Sequence, residues 1–228
     1  MSKIRYINFP IQLLKGFLID DTKCLYNIMC YGCYTHSLKH DLAPPYQAFK
    51  IANKYFKIPF ILDKSSFENG EELYNSIPIK SPKVGISIEM LLDFYNNYKE
   101  EFDKVCFLGF LALKSIVQNK TYCKVTNNYW ISRMDGQEKV HNEVIGLSDA
   151  ISKYNNEYQL GKIKKELILN WHLTHYSRYT RGFYVSFKLD LDSLVYEAEK
   201  RRKSTREKQL RFETQNAINK ALNKIENR

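Results

Sequence analysis

The chain has 228 residues, room for one large domain or two small ones at ~100–200 residues per domain, and ample to bury a core. Hydrophobic residues make up 44% and aromatic residues 14%, which excludes intrinsic disorder of the whole chain, and the longest apolar stretch, Val105–Leu113, is about half of the ~20 residues a membrane-spanning helix needs. The net charge is +10, split as +2 over residues 1–100, +4 over 101–190 and +4 over 191–228, so the excess lies in the C-terminal half and suggests a polyanionic partner, nucleic acid before membrane surface.

The first residues, Met1–Leu14, have neither the apolar run nor the small-residue cleavage site of a secretory leader. The sequence reads as a cytoplasmic protein with reduced thiols at Cys24, Cys30, Cys33, Cys106 and Cys123. The first half reads as all helical. In Asp21–Leu38 the residues Leu25, Ile28, Met29, Tyr31, Cys33 and Leu38 follow a helical period. Pro44-Pro45 breaks the chain and starts Tyr46–Phe56, with Phe49, Ala52 and Phe56 on one face. Ser66–Asn75 predicts a short helix. Ser76–Gly85, holding Pro78, Pro82 and Gly85, reads as a linker, and Ser87 as the N-cap of a helix to Tyr98.

The second half changes character. Glu101–Gln118 is apolar nearly all round and predicts a helix inside a core. Thr121–Val125 is rich in strand formers. Thr126 or Asn127 caps a compact helix, with Gly136 as its C′ residue. Gln137–Gly146 is a polar loop and Leu147–Tyr154 a short helical candidate. In Gln159–Trp171 the residues Leu160, Ile163, Leu167 and Trp171 make one continuous helical face. The period then switches to two. His172–Tyr179, a turn at Thr180-Arg181-Gly182, and Phe183–Leu189 read as a β-hairpin. Asp190 or Asp192 caps a long charged helix from there to the end. The chain thus reads as mainly α, with a helical N-terminal domain (1–85), a second domain (86–190) and a basic C-terminal helix (191–228).

The order of elements over about residues 101–190 resembles a winged helix-turn-helix domain: buried helix, short strand, capped helix, loop, basic helix, strand, basic glycine turn, strand. The resemblance implies a recognition helix, here about 159–171, that enters the DNA major groove, and a wing, here 172–189, on backbone or minor groove. Gly136–Leu147 is longer than the usual turn of the motif. Either Asn127–Asp135 is the motif's first helix and the loop an insertion, or Leu147–Tyr154 is that helix and Asn155–Tyr158 the turn. The strand and capping signals favour the first.

The side chains themselves point the same way. Lys153–Lys188 holds Lys153, Lys162, Lys164, Lys165, Arg178, Arg181 and Lys188 against Glu157 and Glu166, net +5 in 36 residues. Lysines and arginines neutralise phosphates, and the turn arginines Arg178 and Arg181, with Thr180, suit a minor groove. Gln159 and Asn170 suit base edges. Lys124, Asn127, Asn128 and Arg133 are placed to add backbone contacts. Lys200–Arg211 is a second block, net +6 in twelve positions, beginning Lys200, Arg201, Arg202, Lys203.

Other chemistry is set aside. Cys30-x2-Cys33 and His36-x3-His40 have zinc-like spacing, but on one helix Cys30 and His40 lie ~15 Å apart at ~1.5 Å per residue. Phosphate-cradling glycine motifs are missing from the sequence, and adjacent acids such as Asp20-Asp21 and Glu71-Glu72 diverge on regular structure and read as helix caps or surface. The expectation is a non-enzymatic protein without cofactor or metal that binds duplex DNA in transcription control or in replication initiation of a mobile element. The alternatives are an assembly module that forms a homodimer through its C-terminal helix, and an RNA-binding protein stacking bases on Tyr176, Tyr179 and Tyr184.

Overall fold

Near the start of the chain, Tyr6–Pro10 (β1) pairs antiparallel with Lys83–Ser87 (β2), Tyr6 facing Ser87 and Pro10 facing Lys83. The structure is a computed structural model that describes residues 6–40, 46–138, 146–178 and 182–226, with side chains described to residue 220. The two strands correct the all-helical reading of the first half. Strand β2 occupies the predicted linker, and Val84 and Ile86 turn into the core. Pro82 does not interrupt the pairing; its carbonyl accepts the Ile11 N–H at 2.9 Å.

Among the described residues between these strands lie a 3-10 helix (Ile11–Leu18) and three helices, Asp21–Lys39 (α1), Gln47–Tyr55 (α2) and Lys64–Ser76 (α3). Each start has a local cause where a polar side chain is at hand. Asp20 accepts the Lys23 N–H, and Asp63 with Ser66 forms a reciprocal capping box. Helix α1 is buried on most of its length because β1, the 3-10 helix, α2 and α3 surround it. Gly70 lets α3 approach closely: a Cβ there would lie 2.6 Å from the Cys30 carbonyl oxygen. Ser87 caps Ile88–Asn97 (α4), as the sequence predicts.

Glu101–Val117 (α5) runs through the core, with every residue from Val105 to Leu113 buried. It is followed by Cys123–Val125 (β3), Asn127–Met134 (α6), Asp149–Ser152 (α7), Glu157–Asn170 (α8), Thr174–Tyr176 (β4), Phe183–Ser186 (β5) and Leu191–Glu226 (α9). The second sheet has the order β3-β5-β4, all antiparallel. One buried cluster runs from Ile7 to Val185, so the predicted boundary at 85/86 falls inside β2 and within a shared core. The fold is mainly helical with small antiparallel sheets and a long C-terminal helix. No helix among the described residues is long and apolar enough to cross a membrane.

Candidate nucleic-acid interface

Gly109 on α5 is where the second half is assembled. The Trp130 indole N–H of α6 donates to the Gly109 carbonyl at 2.9 Å, and a Cβ on Gly109 would meet Trp130 at 3.1 Å and Ile163 of α8 at 3.2 Å. Glycine thus lets α6 and α8 dock side by side on α5. Leu160, Ile163 and Leu167 bury the inner face of α8, as predicted, and Asn156 caps it through the Gln159 N–H at 2.9 Å. The opposite face carries Tyr158, Lys162, Lys165 and Leu169, all exposed. Gln159, Lys162, Lys165, Glu166 and Leu169 line a shallow groove of about 340 Å³ with Phe102. The Lys162 ammonium lies 4.5 Å from the Tyr158 ring centre.

Lys164 does not share that face. It stands four residues after Leu160 and three before Leu167, so helical geometry turns it inward. Its ammonium donates to Asn127 at 2.8 Å and lies 3.9 Å from the Phe183 ring centre. Burial lowers its pKa to about 8, opposed by the charge of Glu157. His175 of β4 faces the same place, 5.2 Å from Phe183 ring to ring. Its Nε2 is buried with no hydrogen-bond partner among the described residues, and burial, with the nearby Lys164 charge, lowers its pKa to about 4. Lys164 and Asn127 therefore fasten α8 to α6 instead of offering solvent contacts. Arg133 is also committed, donating to the Tyr129 hydroxyl at 2.6 Å and the Glu138 carbonyl at 2.7 Å. Lys153 pairs with Glu101, whose carboxyl it holds below the usual range.

The three-stranded sheet has two covered faces. Phe183 and Val185 face the main core, while Tyr184 packs on Leu194 and Ala198 of α9, with Tyr122 and Tyr176 alongside. The predicted alternation of β5 is right, but its second face is not solvated. Lys124 lies opposite Tyr184 in the register and so shares the α9 side. Arg178 belongs there too: its guanidinium is 4.0 Å from the Glu199 carboxylate. Glu199 also accepts from Tyr176 at 2.5 Å and Arg202 at 2.8 Å. The Tyr176 hydrogen bond comes first in holding the Glu199 carboxyl below its usual range. The same contact pushes the Tyr176 hydroxyl up.

The structure therefore groups eight of the sequence-predicted residues in three sets. Gln159, Lys162 and Lys165 share the outer face of α8. Lys164 and Asn127 lie behind it. Lys124, Arg178 and Arg202 lie on the α9 side of the sheet. Lys200, Arg201 and Lys203 are exposed on α9, and Asn128 is exposed on α6. Lys188 donates to the Asn119 carbonyl at 3.1 Å. Thr180 and Arg181, with Tyr179, lie outside the described residues. The stacking surface expected for RNA loses Tyr184, which is 5% exposed under α9.

Sequence reasoning missed Glu199, the carboxylate that gathers Tyr176, Arg178 and Arg202. It stands one residue before the basic block, and only the packing of α9 on the sheet brings it to the hairpin. The zinc-spaced cysteines Cys30 and Cys33 are buried on α1, where burial raises both thiols. Comparison with protein-family models, with curated proteins and with solved structures gives no match for this chain.

Proposed function

We propose that the chain is a duplex-DNA-binding protein whose reading element is α8, in a winged-helix module spanning Glu101 to Leu189. The observation that carries this reading is the arrangement of α8: its apolar face is fixed on α5 while Lys162 and Lys165 project from the opposite face. The element order α5-β3-α6-α8-β4-β5 and the sheet order β3-β5-β4 support it, because in such a module the first strand pairs with the third and the hairpin flanks the reading helix. On this reading α6 is the first helix of the motif, and residues 135–156, with α7, are an insertion before α8.

Two lysines on a fixed helix supply phosphate contacts, and Gln159 at the rim of the groove is of the type that reads adenine edges. The test is a titration of a random-sequence duplex against salt for the full chain and for Lys162→Ala/Lys165→Ala. Loss of two phosphate contacts flattens the slope of log affinity on log salt by ~1.8. An unchanged slope removes α8 from the interface.

A further inference from the structure

Helix α9 follows the sheet only as far as the hairpin. Leu194 and Ala198 are buried under it, and Glu199 and Arg202 meet Tyr176 and Arg178. From Lys203 to Lys220 every residue is exposed. At ~1.5 Å per residue this segment is a rod about 27 Å long that leaves the body beside the wing. Most helices in proteins are stabilised by packing an apolar face, and this one has none to pack.

Its exposed cations spread over more than half of the circumference, on two opposite sides and one flank. At about 100° per residue Arg201 and Lys208 fall on one side, Lys203 and Arg206 on the opposite side, and Lys200 and Arg211 between them. Glu207 is the one acid within Lys200–Arg211. A bilayer surface calls for a broad apolar face opposite the cations, whereas Leu210 and Phe212 project from opposite sides of the rod. A coiled coil calls for a heptad seam sustained over several turns, and within Lys203–Lys220 the residues Leu210, Phe212 and Ile218 share no stripe. A sleeve of cations matches a site with phosphates on both flanks. The major groove of a duplex is such a site, ~12 Å wide, and a helix with side chains is ~10–12 Å across. Past the sleeve come the exposed amides Gln215, Asn216 and Asn219, residue types that pair with base edges.

We propose that Lys203–Lys220, with the flanking cations Lys200 and Arg201, is a second duplex-DNA-binding element that enters a major groove next to the wing. The proposal rests on the DNA-binding reading of the chain but not on the role of α8. Combined with the reading of α8 above, it gives two-point attachment: one duplex is held by α8 and again by the projecting rod, with the wing between them.

The experiment compares two charge pairs in the full chain, Arg201→Gln/Lys208→Gln and Lys203→Gln/Arg206→Gln, using a random-sequence duplex longer than one helical turn. Groove insertion predicts that each pair alone weakens binding roughly 10–60-fold near 0.1 M salt and flattens the salt slope by ~1.8. An effect from one pair only means a flat contact and overturns insertion. No effect from either pair overturns the element altogether. So does preferential displacement of the duplex by single-stranded RNA, or concentration-dependent self-association that both pairs abolish while duplex affinity stays constant. Lys162→Ala/Lys165→Ala, measured beside them, separates the two claims. If it is silent while both α9 pairs weaken binding, the α8 reading fails and the rod stands.

Discussion

The Lys164 ammonium rests 3.9 Å from the centre of the Phe183 ring, which joins the inner side of α8 to the sheet in a setting that disfavours charge. Its pKa of about 8 in the fold lies below the ~10.4 of an unfolded chain, so the unfolded state holds the proton more tightly. Stability therefore rises as pH increases from about 8 through the ordinary lysine range, and below that interval the penalty is constant. Replacing Lys164 with Met removes this rise, as denaturant midpoints at successive alkaline pH values will register.

His175 has the same sign at acid pH. Its folded pKa of about 4 lies below the ordinary ~6.5, so stability falls as pH drops from 6.5 towards 4 and this contribution then levels off. Discounted for nearby solvent, the loss at pH 5 is about 1 kcal/mol. His175→Met narrows the gap between urea midpoints at pH 7 and pH 5; an undiminished gap places the acid sensitivity elsewhere.

Asp135 is a buried carboxylate that ties three segments together. It accepts from Lys15 at 3.0 Å and from the Ser148 hydroxyl at 2.5 Å and amide at 3.2 Å. The contacts link the 3-10 helix, the end of α6 and the approach to α7. Asp135→Ala strands Lys15 and costs about 3 kcal/mol in equilibrium unfolding.

Gly182 has φ +110°, and a Cβ there would sit 2.6 Å from the Val125 carbonyl oxygen. Gly182→Ala pushes β5 away from β3 and costs about 1–3 kcal/mol. Hydrogen exchange at the Val125 and Phe183 amides reports the opening directly.

Glu199 holds Arg178 and Arg202 as a phosphate would. Glu199→Gln removes that competing charge and returns both arginines to the polyanion. Duplex affinity rises several-fold, and the salt slope steepens by up to ~1.8 for two added contacts. Weaker binding would instead mean that Glu199 orients the arginines for the duplex.

Helix periodicity and capping were legible locally. Asp20, Ser87, Thr126 and Asp190 accept the amides expected of caps, and Gly136 takes a positive φ of 84° past α6. Strands β1 and β2 were not legible, because each is short, one ends in Pro10, the other follows Pro82, and their pairing joins distant parts of the chain. At the interface, Lys162 and Lys165 were readable from the apolar stripe opposite them. The inward turn of Lys164 was readable too, from its spacing to Leu160 and Leu167, but its charge suggested solvent. The engagement of Arg178 by Glu199 depends on where α9 lies across the sheet, which no local pattern encodes.

The most direct measurement is the salt dependence of duplex-DNA association by the full chain, with and without Lys162 and Lys165. Duplex binding through α8 predicts tight association at low salt, a steep loss as salt rises, and a slope flatter by ~1.8 when both lysines become Ala. Failure to associate at low salt, or the same slope in both proteins, would contradict it.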